Sequence, residues 1–241
     1  MESHIMSLPK LDVTPKYDVL IPSINKMVKF RPYLVKEEKT LLLAMESEDS
    51  TQIINAVADV VVACISEDID KRKLTTFDIE YLMVKIRAKS VGENPAIALK
   101  CSECEESNEV KVNIDDIEMD VGKTDNIIHL TDTISIKMKY PSFTDIGTST
   151  AITQAESEVE QSFLVVIKCI DSIQTEDENI AVKDVDEKEL IEFLESFTSA
   201  QYLKIKTFIE GIPSIESTVN FTCTKCETEN TVTLKGMTDF F

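Results

Sequence analysis

Apolar residues recur at helical spacing in two long stretches of the chain. Ile54, Val57, Val61 and Cys64 share one face of a predicted helix, and Val159, Val166 and Cys169 share one face of another. The endings correspond: Val61-Val62-Ala63-Cys64-Ile65 against Val166-Ile167-Lys168-Cys169-Ile170. Two more helices are announced by capping signals, Thr75-x-x-Asp78 and Thr198-x-x-Gln201, in which a side chain at each end of the motif can bond the other's backbone N–H. Behind them Ile79, Leu82, Met83 and Ile86, and likewise Tyr202, Ile205, Phe208 and Ile209, keep the helical period. Short alternating strands run into Lys29-Phe30-Arg31-Pro32-Tyr33 and into Lys139-Tyr140-Pro141-Ser142-Phe143.

After each capped helix come Gly92 and Pro95, or Gly211 and Pro213, and then a cysteine pair at a turn between strands. Cys101-Ser102-Glu103-Cys104-Glu105 leads to Asn108, Val110 and Val112; Cys223-Thr224-Lys225-Cys226-Glu227 leads to Asn230, Val232 and Leu234. Both fit C-x-x-C-E-x-x-N-x-V-x-(V/L) without a gap, and the shared Glu, Asn and alternating apolar tail argue against coincidence. The expectation is an α+β fold built from two copies of one plan, residues 16–118 and 126–241. Each copy has strands, two or three helices and a closing β-hairpin that carries the cysteines. An acidic stretch from about Thr175 to Glu189 has no counterpart in the first copy and reads as a solvated loop with a helix start near Asp186. Residues 1–15 stand apart; Met1 to Met6 reads as a cloning remnant, with Met6 the expected natural start.

Zinc favours four soft or borderline ligands in a tetrahedron, and one Cys-x-x-Cys turn supplies half of them. The histidines, His4 and His129, lie outside the pattern, so Cys101, Cys104, Cys223 and Cys226 are expected to hold one structural zinc, each copy giving a pair. Reduced thiols at ordinary turns and a redox pair are the competing readings. The redox reading is disfavoured because such a pair sits at a helix N-terminus, whereas strand-like sequence flanks both motifs. Cys64 and Cys169 lie on apolar helical faces and read as core residues.

Composition narrows the partners. The 241 residues carry a net charge of −19, which repels nucleic acid and anionic membranes and leaves proteins as the default partner. No apolar run is long enough to span a bilayer. There is no Gly-rich phosphate loop, nucleophile elbow or H-E-x-x-H helix, and a four-cysteine zinc is coordinatively closed, so no enzyme is expected. Residues 1–118 carry 15 Lys and Arg against 22 Asp and Glu, or −7; residues 119–241 carry 10 against 22, or −12. The chain's arginines, Arg31, Arg72 and Arg87, all fall in the first copy, and Arg31 with Arg87 is the expected partner-docking patch.

The blocks Phe30-Arg31-Pro32-Tyr33-Leu34-Val35-Lys36-Glu37-Glu38-Lys39-Thr40-Leu41-Leu42, Leu74-Thr75-Thr76-Phe77-Asp78-Ile79-Glu80-Tyr81-Leu82 and Ile86-Arg87-Ala88-Lys89-Ser90-Val91-Gly92-Glu93 resemble the baseplate hub assembly proteins of T-even-like contractile-tailed phages, most strongly over residues 10–120. The resemblance implies a late phage protein that builds the tail baseplate hub in the cytoplasm of the infected host, whether it is retained in the virion or leaves as a chaperone. Its partners would be hub proteins; self-association is left open. The alternative from another class is a zinc-ribbon-like adaptor in a transcription or other nucleic-acid machine, which would require a basic groove.

Overall fold

The computed structural model describes residues 14–240 apart from 116, 118, 120, 122–124, 148 and 156. The expected N-terminal remnant, His4 and the expected boundary at 118 lie outside the described residues. The chain opens with a hairpin, β1 (Tyr17–Ile21) and β2 (Lys26–Phe30), whose alternation buries Val19, Ile21, Val28 and Phe30 on one face. Three helices follow: α1 (Val35–Glu46), α2 (Ser50–Cys64) and α3 (Thr76–Val91). Asp49 caps α2 through the Thr51 and Gln52 amides, and Thr75 with Asp78 forms a capping box on α3. The Asp78 carboxylate is fully buried and also accepts from Ser23 N at 2.9 Å and Ser23 Oγ at 2.5 Å, so one side chain caps a helix and ties down the β1–β2 turn. A second hairpin, β3 (Ala96–Lys100) and β4 (Ser107–Lys111), closes this part.

The remainder begins with β5 (Ile127–His129) and β6 (Ser135–Met138), passes through short helices α4 (Phe143–Gly147) and α5 (Thr150–Thr153), and enters α6 (Glu158–Lys168). Then come β7 (Ile170–Gln174), β8 (Asn179–Ala181), α7 (Glu187–Glu195), α8 (Ser199–Glu210) and a long hairpin, β9 (Glu216–Thr222) and β10 (Glu229–Lys235). Strands β5 to β8 form one antiparallel sheet in that order, and the other strands among the described residues pair as three separate hairpins.

The stretch expected as a solvated loop is more structured than that. Its start, Thr175, closes a turn onto Glu178 at 2.9 Å and β8 pairs with β7, while the helix start expected near Asp186 is present, with Asp186 capping α7. Its acidic residues turn outward, but Ile173 and Leu190 beside it enter the core, which gives the segment a reason to fold. Val159 also departs from expectation: it stands 68% exposed on α6, away from the buried Leu164, Val166 and Ile167.

Among the described residues, two apolar clusters form the core. The first gathers β1, β2, α2 and α3, together with Phe143, Ile215, Val219 and Leu234 from much later in the sequence. The second packs β5 to β7 against α6, α7 and α8. Tyr140, packed on the second cluster, lies edge-on to Phe77 of α3 at 5.3 Å and stacked on Phe208 of α8 at 5.7 Å. Because β9 and β10 send Val219 and Leu234 into the first cluster, their turn is carried to the turn between β3 and β4.

Candidate metal centre

Each cysteine turn is built by the same backbone bonds. Cys101 N–H donates to Glu106 O at 2.9 Å and Glu105 N–H to Cys101 O at 3.1 Å; Cys223 N–H donates to Thr228 O at 2.9 Å and Glu227 N–H to Cys223 O at 3.1 Å. Closing the loop so tightly puts Glu105 and Glu227 in the left-handed region, at φ 57° and 59°. Both side chains of each pair then point to one side, toward the other turn.

The four sulfurs converge. Cys101 Sγ lies 3.6 Å from Cys226 Sγ, Cys104 Sγ lies 3.6 Å from Cys223 Sγ, and all four fall within 4.8 Å of one another. Four sulfurs each about 2.3 Å from one zinc stand about 3.8 Å apart, so the quartet fits a tetrahedral ion with little adjustment. Cys101 and Cys223 are buried, Cys104 is half-buried and Cys226 is exposed.

Two asparagines tie the turns together in a crossed pattern. Asn108 Oδ1 accepts from Thr224 N at 2.8 Å and Thr224 Oγ1 at 2.9 Å, while its Nδ2 points at Cys223 Sγ at 3.7 Å. Asn230 Oδ1 accepts from Ser102 N at 2.9 Å and Ser102 Oγ at 3.0 Å, with Nδ2 at 3.6 Å from Cys101 Sγ. Each Asn also donates to its own turn, to Glu106 O or Thr228 O, at 2.9 Å. Both are buried, so these bonds work in a medium that strengthens them. Their role was not read from the sequence, although the Asn shared by the two motifs was the signal.

The electrostatics favour a cation. The backbone amides of Cys104 and Glu103 lower the Cys101 thiol pKa, and those of Cys226 and Lys225 lower that of Cys223 to about 6. At Cys104 the Glu106 amide favours the thiolate, but the neighbouring sulfurs outweigh it and push the thiol up to about 12. Like charges crowd one small volume, which a divalent ion would relieve. Cys64 and Cys169 differ: burial pushes them up to about 11 and about 12, as for inert core thiols. His129 is exposed and bonds Ser135 Oγ at 2.7 Å through Nδ1.

The arginines of the expected docking patch lie in other surroundings. Arg31 is engaged within the fold, pairing with the buried Glu37 at 2.9 Å and donating to Pro32 O at 2.9 Å and Ala63 O at 3.1 Å. Arg87 is half-buried near the C-terminal end of α3.

Comparison with known proteins adds identity to this geometry. A family model described as T4 bacteriophage base plate protein matches residues 14–241, and the chain belongs to that family. The chain is 24% identical over 228 residues to the baseplate hub assembly protein gp26 of Enterobacteria phage T4, covering 94% of this chain and 97% of that protein. No solved structure matches the chain.

Proposed function

We propose that this member of the T4 base plate protein family is a non-enzymatic assembly or chaperone component of a phage tail baseplate hub, built from two copies of one plan and clamped by a single structural zinc. The observation that carries the zinc is the convergence of the four sulfurs from turns far apart in sequence. The assembly role is supported by the name of the phage T4 relative, which matches over nearly its whole length. Zinc would be held by Cys101, Cys104, Cys223 and Cys226, and when bound it would supply a closed cross-link with no open position for water. The residues themselves pre-shape that site, since the crossed asparagines fix the turns and the turn amides favour thiolate.

The two-copy reading is supported by the paired turns, by the paired capping boxes, and by Arg31 N bonding Cys64 O at 2.9 Å as Lys139 N bonds Cys169 O at 2.7 Å. A nucleic-acid adaptor fits the surface less well. Acidic Glu103, Glu105 and Glu227 surround the turns, and Lys225 there is paired with Glu106 at 2.8 Å. The docking patch at Arg31 and Arg87 remains part of the proposal, and its Arg31 half would have to act without giving up Glu37.

The test is genetic and biochemical together. Phage lacking this protein should accumulate incomplete hubs while heads assemble normally, and the purified protein should carry one zinc per chain. Normal tails in its absence would refute the assembly role; a chain that takes up no zinc, or two, would refute the clamp.

A further inference from the structure

Helix α4 crosses from its own part of the chain onto the first cluster. Phe143 N–H donates to Leu74 O at 2.7 Å beside a bridge from Ser142 to Thr75, and Gly147 approaches Ile54 so closely that an added Cβ would lie 2.6 Å from it. Phe143 and Ile146 thereby cover the groove between α2 and α3, but they do not fill it. A partly open cavity of 150 Å³ remains, walled by Ile54 and Val57 of α2, Ile79 of α3 and Met237. An apolar cavity of that size accepts a guest as large as benzene.

A single charged side chain, Glu80, lines this cavity. Glu80 and Thr76 stand one turn apart on α3, so both reach the same wall. Among the described residues neither side chain has a hydrogen-bond or ion-pair partner. Glu80 is half-buried, and burial alone, with no neighbouring charge contributing, raises its pKa above the ordinary carboxylate value. A carboxylate withdrawn from water without a counter-charge costs the fold and gives it no bond in return. Its complement is one positive charge on a slender apolar stem. A lysine side chain has that shape, five heavy atoms from Cβ to Nζ with three donors at the tip. An arginine would bring five donors in a rigid fork to one carboxyl and one hydroxyl. A free diamine would bring a second charge for which the lining has no partner. The net charge of −19 also draws cations toward the molecule from a distance. We propose that this cavity is a recognition pocket for a lysine side chain of a partner protein, with the alkyl stem against the apolar walls and the ammonium donating to Glu80 and to Thr76 Oγ1. The pocket stands apart from the cysteine quartet and requires no metal.

Titration of the purified full chain, followed by NMR at the methyl groups of Ile54 and Ile79, tests this. The first probe is n-butylammonium, a lysine side chain without its backbone, and it should shift both methyls. Its neutral isostere 1-butanol should bind about tenfold more weakly or worse, because the charge-assisted bond to Glu80 is missing. Glu80→Gln should lose about tenfold or more in affinity for n-butylammonium. The same variant should melt no lower than the parent, since an unpaired charge has left the lining. A capped Gly-Lys-Gly peptide should bind with the same dependence on Glu80, and acetylating its Nζ should abolish binding. A chain that ignores both n-butylammonium and the peptide overturns the proposal. Equal binding of 1-butanol, or peptide binding unaffected by Glu80→Gln, overturns it as well, because the charge would then not be recognised there. Binding of 1,4-diaminobutane without binding of the peptide would make the ligand a free amine and overturn the assignment to lysine. A Glu80→Gln chain that unfolds, or melts well below the parent, would place the partner of Glu80 inside the fold and overturn the pocket.

Discussion

Asn108 receives the backbone N–H of Thr224 at 2.8 Å across two hairpins that are 116 positions apart, and Asn230 returns the bond to Ser102 at 2.9 Å. Each Asn therefore positions the partner turn and directs an amide at its first sulfur. Asn108→Ala or Asn230→Ala would strand two donors in the opposite turn, at a cost of about 1–3 kcal/mol. Loss of such an outer partner weakens metal binding by about 10–100-fold. Competition against a chromophoric chelator should show that weakening in both variants, and the double variant should be worse than either. Unchanged affinity in both would make the crossed bonds irrelevant to the metal.

Cys223→Ser removes one of the four candidate ligands, the buried first cysteine of its turn. Because metal binding contributes directly to folding free energy in closed sites, zinc content should fall from one per chain toward zero. Protection from hydrogen exchange should drop around both hairpins and not merely around β9 and β10. Chelator should destabilise the parent to the same end point, and more readily as pH falls, because protons compete for the thiolates. Loss of protection confined to the C-terminal hairpin would show that the two turns fold independently.

The sequence made the cysteine quartet legible because identical local chemistry recurs: the same turn, the same Glu and the same Asn at fixed offsets. Capping boxes at Thr75 and Thr198 were legible for a similar reason, being short-range and stereotyped. What could not be read were long-range choices. Nothing local marks Val219 and Leu234 as members of the first cluster, or Phe143 as the residue that covers the α2/α3 groove. The strand at Asn179–Ala181 was hidden because it is three residues long and none of them is buried, so it carries no alternation; it is set by pairing with β7. Val159 was misplaced by a period that the helix keeps but the packing does not use.

Glu105 and Glu227 adopt φ 57° and 59° with exposed side chains, a region that costs a non-glycine residue about 1–2 kcal/mol. Glycine would relieve that strain and lose part of the gain to unfolded-state entropy. Glu105→Gly and Glu227→Gly should each be neutral or stabilising by up to about 1 kcal/mol in thermal melts. Glu105→Val, with a β-branched side chain in the same conformation, should destabilise. If Gly and Val behaved alike, the positive φ would not be setting the energy of the turn.

Arg31 and Glu37 separate packing from docking. Burial alone would raise the Glu37 pKa, but the Arg31 guanidinium, the Leu34 N–H and Lys36 hold it below the ordinary carboxylate value. A depressed folded pKa contributes stability that is fully present above the unfolded value of about 4.3 and is lost as pH falls through the folded value. Arg31→Ala leaves a buried carboxylate short of its main partner, so it should destabilise at neutral pH, by about 3 kcal/mol if the pair behaves as buried pairs do. That penalty should shrink in acid, where the Glu37 carboxyl takes a proton. Arg31→Ala combined with Glu37→Gln should recover part of the loss at neutral pH, because no charge is then stranded. Thermal melts from pH 7 down to pH 3 would show the gap between parent and Arg31→Ala closing. A gap that stayed constant with pH would assign the Arg31 effect to its bonds with Pro32 O and Ala63 O instead. A stable Arg31→Ala protein that captured hub proteins poorly would support the docking role proposed for Arg31.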